Sequence, residues 1–174
     1  YFNIDKWSNK NVKLSDSEQD FYLNMTLKDT EILSQLFMPK LNIANNTSLT
    51  ATFTSRNYQL YSTLTSDYIL FNGMKINNIY LKNKTSDDKT TANITIDEFV
   101  IKEPTDKNPL KLSLENLNFM LDVHSDSLLF NIAWDDDIEE DRNKANINTS
   151  FVAYENYGGL MHLTSSELII NDSI

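Results

Sequence analysis

Side chains able to act on a substrate are few in this chain. The two histidines, His124 and His162, each sit at or near the end of an expected strand. Neither has a second His or a Cys at the spacing a metal site uses, so both read as surface or turn residues. The densest charge run is Asp135-Asp136-Asp137-Ile138-Glu139-Glu140-Asp141, which offers the hard oxygen ligands that calcium takes. Its acids are contiguous rather than spaced, and it lacks the glycine that an EF-hand needs for its sharp turn, so it reads as a solvated loop. Asp97 and Glu98 are adjacent on an expected strand. Neighbours on a strand point to opposite faces, so these two cannot form an acid–base pair. A glycine-rich phosphate loop, a Gly-x-Ser-x-Gly elbow and a His-Glu-x-x-His helix are all missing. The sequence assigns no catalytic residue, no metal ligand and no cofactor, and the chain reads as a non-enzyme.

The strongest signal lies in the elements. From about Leu41 to Ile170 large apolar residues recur at every second position, as in Leu117, Phe119, Leu121 and Val123, then Leu128, Phe130, Ile132 and Trp134. Successive strand residues face opposite ways, so this pattern builds a sheet with one oily face and one wet face. Phe21 to Leu27 alternates in the same manner. Asp29-Thr30 is an N-cap candidate, and Ile32, Leu33, Leu36 and Phe37 fall at helical spacing until Pro39 ends the run. That predicts one short α-helix near residues 30–38. Val12 to Leu14 reads as a weak short strand.

After Lys40 the chain reads strand, turn, strand. The expected segments are Leu41–Ile43, Ser48–Arg56, Tyr58–Thr65, Tyr68–Phe71, Met74–Ile76, Ile79–Lys82, Thr91–Ile101, Leu110–Leu114, Leu117–Val123, Leu128–Trp134, Ala145–Tyr154, and one or two strands over Leu160–Ile170. Asn72-Gly73 between apolar runs is a strong hairpin signal, because both turn positions need positive φ. Turns recurring every ~8–14 residues suit an antiparallel meander. Alternation alone fits a two-sheet sandwich as well as a long curved sheet.

With 174 residues, 23% charged and 40% hydrophobic, the chain is in the ordinary range for one β-rich folded segment over 1–174. A net charge of −10, with no cluster of Lys and Arg, argues against nucleic acid and against anionic lipid headgroups. The absence of cysteine excludes disulfides. No apolar stretch is long enough to span a membrane as a helix, and no signal peptide opens the chain. Starting at Tyr1 and stopping at Ile174, the chain reads as a slice cut from a larger protein. Sequons at Asn24, Asn83, Asn93 and Asn171 fit an Asn-rich polar face better than glycosylation.

Three stretches carry a family resemblance. Leu33-Ser34-Gln35-Leu36-Phe37-Met38-Pro39-Lys40-Leu41-Asn42-Ile43, followed by Asn46 to Ala51, is a helix, a proline, a short strand and a turn into a long strand. Leu117-Asn118-Phe119, the turn His124 to Ser127, then Leu128 to Asp135 make a strand–turn–strand unit, and Ser165 to Asp172 resembles a later hairpin. In this arrangement, from Phe21 to Ile174, the chain resembles the TamB family of Gram-negative envelopes, AsmA-like translocation and assembly module proteins, closest to Bacteroides-type members. The resemblance implies a long curved antiparallel sheet, β-taco-like and groove-forming, with an apolar lining. It implies a periplasmic location, with the full-length protein anchored in the inner membrane. It also implies transport of phospholipid toward the outer membrane, or outer-membrane protein assembly and secretion, with an outer-membrane barrel partner met through a C-terminal region absent here.

On that reading the partners are phospholipid acyl chains. A ~16-carbon tail in water costs more than ~10 kcal/mol, at ~0.8 kcal/mol per CH₂. The expected lining is Phe119, Leu121, Val123, Phe130, Ile132 and Trp134, with Leu112 and Leu114 next. Two other readings compete. One is a surface β-sandwich binding module, an adhesin or glycan binder using Tyr58, Tyr61, Tyr154 and Tyr157. The other is a structural slice with a sealed core. A continuous sheet cut at its sides leaves unpaired strands, so an edge-to-edge homodimer is expected.

Overall fold

The computed structural model describes residues 18–31, 34–35, 38–86, 89–102, 112–136, 143–154 and 158–169. Their strands form one open, curved antiparallel sheet of eleven strands. These are β1 (Asp20–Thr26), β2 (Leu41–Ile43), β3 (Ser48–Thr54), β4 (Gln59–Phe71), β5 (Met74–Thr85), β6 (Lys89–Lys102), β7 (Leu112–His124), β8 (Ser127–Asp135), β9 (Lys144–Tyr154), β10 (Gly158–Leu163) and β11 (Glu167–Ile169). The order is β1-β3-β4-β5-β6-β7-β8-β9-β10, with β2 also on β4 and β11 also on β9. From β3 onward it is the expected meander, each long strand pairing with its predecessor. Ser34 N–H donates to the Thr30 carbonyl (2.9 Å) and Met38 N–H to the Ser34 carbonyl (3.0 Å), the i→i−4 bonds of an α-helix at the expected place. The apolar helix positions Ile32, Leu33, Leu36 and Phe37 lie outside the described residues. So do the Val12–Leu14 strand, Glu103 to Pro109, Leu110, most of the acidic run (Asp137 to Asp141), Tyr157 and Ile170.

Local sequence explains the turns. Phe71 pairs with Met74 across Asn72-Gly73, whose φ values are 53° and 88°. Both are left-handed, as a two-residue hairpin requires. A Cβ on Gly73 would touch nothing, so glycine serves there for its dihedral freedom and not for space. Arg56, in the 3₁₀ turn Ser55–Asn57, grips Glu18 with two bonds of 2.9 and 2.8 Å beside the start of β1. That exposed contact holds the guanidinium pKa above its ordinary value.

The expected strands were too short in three places. Tyr58–Thr65 and Tyr68–Phe71 belong to one strand, β4; Met74–Ile76 and Ile79–Lys82 both lie in β5; Leu110–Leu114 and Leu117–Val123 merge in β7, of which residues 112–124 are described. At the breaks in β5 and β7, and also within β6, the apolar spacing slips from two residues to three: Ile76 to Ile79 on β5, Ile96 to Phe99 on β6, Leu114 to Leu117 on β7. All six side chains nevertheless belong to one cluster. Asn78 (φ 50°) and Asn116 (φ 51°) sit in these gaps, and Asn46 (φ 65°) sits in the jog between β2 and β3. Asparagine tolerates the left-handed region better than other side-chain-bearing residues, so one such residue can rotate the chain and reset which face the next side chain meets. The ladder passes over these positions: Asp67 lies opposite Asn78, and Asp97 opposite both Asn78 and Asn116. Asn78 Nδ2 donates to Asp97 Oδ2 (2.8 Å), and Asn116 Nδ2 to the Asp135 carbonyl (2.8 Å). The slips thus line up across neighbouring strands as a crease.

Candidate functional site

Directly paired residues of an antiparallel ladder share a face, so the pairing lets each face be read row by row across the strands. One row runs Met25, Leu49, Leu64, Leu81, Ile94, Phe119, Ile132, Ile147 over β1 and β3 to β9. Every member is large and apolar. Seven interstrand steps of ~4.8 Å make this row ~34 Å long. Beside it, next to the crease, runs Ser66, Ile79, Ile96, Leu117, with Trp134 and Ala145 continuing at the same level. Ile79, Ile96 and Leu117 are buried and form the centre of the core. Leu64, Ile94, Phe119, Ile132 and Trp134 pack against them from one side of the crease, and Ile69, Ile76, Phe99 and Leu114 from the other. Burial on this one-layered face therefore arises largely from side chains on the two flanks of the crease meeting over it. Among the described residues no second sheet covers it.

The expected lining residues fall as follows. Phe119, Ile132 and Trp134 are half-buried members of the two rows. Leu121 pairs with Phe130 one row further from the crease, and Val123 with Leu128 beyond that. The Phe119 and Phe130 rings lie 6.4 Å apart. Leu114 lies across the crease within the same cluster, while Leu112, at the start of β7, is 48% exposed. Sequence reasoning missed the rest of the long row, Met25, Leu49, Leu64, Leu81, Ile94 and Ile147. Each is visible as an apolar residue in its own strand; their alignment is a property of register, which alternation within one strand does not encode.

The opposite face is polar and rich in cross-strand hydroxyl and amide pairs. Thr50 meets Thr63 and Ser48 meets Thr65 at 2.6 Å each. Asn131 Nδ2 donates to Asn146 Oδ1 (2.6 Å) and Asn148 Oδ1 (2.8 Å). Tyr61 carries the Lys82 ammonium 5.8 Å from its ring centroid. An open hollow of about 350 Å³ lies against Met120, Leu129, Asn131, Asn148 and Thr164, and Phe130 alone of the expected lining residues borders it. A second, of about 630 Å³, lies between Glu31, Gln35 and the Asn72-Gly73 turn.

Among the described residues no group of three or more His, Asp or Glu is placed to hold a metal ion. No family model, curated protein or solved structure matches the chain. No helix among the described residues is long and apolar enough to cross a membrane. Among the described residues the two faces differ in chemistry: one is a surface of apolar side chains, the other a mesh of amides and hydroxyls.

Proposed function

We propose that the chain is a periplasmic segment of a TamB/AsmA-like envelope protein, whose apolar face carries phospholipid acyl chains toward the outer membrane or supports the assembly of barrel proteins there. The observation that supports this most is the unbroken apolar row from Met25 to Ile147 on a sheet with no second layer among the described residues. A row of ~34 Å exceeds the ~30 Å hydrocarbon thickness of a bilayer, which is two tails deep. A tail lying across the strands meets a similar side chain at every step, so it exchanges contacts gradually instead of leaving one deep pocket. Each CH₂ kept from water contributes ~0.8 kcal/mol. An outer-membrane partner and an inner-membrane anchor belong to the same reading and would be supplied by other parts of the protein.

Photocrosslinking tests the reading. A photoreactive residue at Phe119 or Ile132 is expected to capture co-purified phospholipid, identified by native mass spectrometry. The same residue at Thr95 or Asn131 on the polar face is expected to capture none. Equal capture from both faces, or none from the apolar face in phospholipid-containing extracts, would remove the lipid role.

A further inference from the structure

β1 is the outermost strand on its side of the sheet, and among the described residues it pairs with β3 alone. Hydrogen bonds at its two ends fix how its backbone is oriented. Ser55 N–H donates to the Gln19 carbonyl (3.1 Å), Leu27 N–H to the Thr47 carbonyl (2.9 Å), and Asn46 N–H to the Leu27 carbonyl (2.6 Å). Residues of an antiparallel strand alternate between bonding to one neighbour and to the other. The odd-numbered residues from 19 to 27 therefore bond toward β3. Asp20, Tyr22, Asn24 and Thr26 turn their N–H and C=O groups toward the free side.

Proteins usually guard such an edge with lysine, proline or a bulge. The β1 sequence, DFYLNMT, has none of these, and its only charge is at the first position. Its apolar-face side chains stay open, with Phe21 52%, Leu23 42% and Met25 41% exposed. The opposite edge differs. There β10 ends at Leu163, Thr164 N–H bonds to the Asn148 carbonyl in a jog, and only three residues resume as β11, led by Glu167.

We propose that β1 is a homodimer seam, at which a second copy of this chain adds its own β1 antiparallel about a two-fold axis through Leu23. The register is self-complementary. Leu23 faces Leu23 of the second copy, Phe21 faces Met25, Tyr22 faces Asn24, and Asp20 faces Thr26. Apolar side chains meet apolar ones on one face and polar meet polar on the other, and no like charges are opposed. The four outward residues of each copy exchange eight N–H···O bonds. An axis perpendicular to the sheet leaves both apolar faces on the same side, so the long row, ending at Met25, meets Phe21 of the second copy and, beyond it, the row of Phe53 and Leu60. A seam of one strand per copy is small, so the association is weak and depends on concentration. The inference stands apart from the lipid reading, since it rests on backbone groups and register.

Sedimentation velocity over a concentration series is expected to show a monomer passing to a dimer. Leu23→Lys sets two ammonium groups face to face only in the dimer, and loss of the dimer is expected with an unchanged circular dichroism spectrum. Met161→Lys, on the far edge, is expected to leave the dimer intact. In a chain without cysteine, Leu23→Cys is expected to oxidise to a covalent dimer, because a non-hydrogen-bonded pair holds Cα atoms ~4.5 Å apart, within disulfide reach. Met25→Cys, which this register places opposite Phe21, is expected not to. A chain that stays monomeric throughout with no Leu23→Cys crosslink overturns the seam, as does a dimer that Met161→Lys breaks and Leu23→Lys spares.

Discussion

The β5–β6 and β7–β8 hairpins share one face and one ladder, yet they furnish that face differently. Nearest the crease they agree: Ile79 and Ile96 on the first match Leu117 and Trp134 on the second, and Leu81 and Ile94 match Phe119 and Ile132. Further out they part. β7–β8 continues with Leu121 and Phe130, then Val123 and Leu128. β5–β6 offers Asn83 and Ala92, then Thr85 and Thr90, whose hydroxyls bond at 3.1 Å. Apolar side chains thus fill four rows over one hairpin and two over the other. The backbone ladder is the same under both hairpins, and the side chains decide how wide the apolar surface on it is. On the proposed lipid reading, an amphipathic molecule laid across the outer rows of both hairpins would meet an amide and hydroxyls over β5–β6 and hydrocarbon over β7–β8.

The comparison can be broken at the floor common to both hairpins. Leu117 is 2% exposed at the centre of the shared cluster. Leu117→Ala is expected to cost ~3 kcal/mol in urea unfolding, as for other buried leucines, and Ile79→Ala a comparable amount. A cost below ~1 kcal/mol at Leu117 would mean that the two hairpins do not share a core. The comparison sharpens if β7–β8 is given the outer chemistry of β5–β6. The double variant Leu121→Asn, Phe130→Thr is expected to weaken binding of a fluorescent fatty acid ~tenfold, equivalent to ~1.4 kcal/mol and to the loss of about two buried CH₂ groups. Asn83→Asp, in the same row but at a position that is already polar, is expected to leave it within about twofold. The smallest effect lies in the crease. Asn116→Ala and Asn116→Gly both lose the bond to the Asp135 carbonyl, but only alanine also strains the left-handed backbone. Alanine is expected to be the less stable by ~1 kcal/mol in thermal unfolding. Equal stabilities would show that the positive φ at that site carries no cost.

Much of this fold was legible because it is written in period-two alternation and in turn chemistry. Leu117 to Val123 and Leu128 to Trp134 announce their shared face within seven letters each, and Asn72-Gly73 announces its hairpin. The breaks after Thr65, Ile76 and Leu114 were also visible, but as ends of strands. Loss of alternation looks the same whether a chain turns back or merely slips by one residue, and only the neighbouring strands tell the two apart. That is why the crease was missed, although Asn46, Asn78 and Asn116 are residues suited to it. Likewise Leu81 and Ile94 were each legible as apolar strand residues, while their place in one row with Phe119 depends on register.

The crease has a consequence for how the sheet finds its alignment. Much of the polar face is threonine and asparagine, whose side chains would accept a neighbour shifted along the strand almost as readily as the correct one. The left-handed asparagines would not. Sliding one strand by a single residue would set an asparagine kink against a regular stretch of its neighbour and turn Ile79 or Leu117 away from the core. The same line that changes the direction of the chain therefore acts as a notch and key, indexing β4 to β7 against one another.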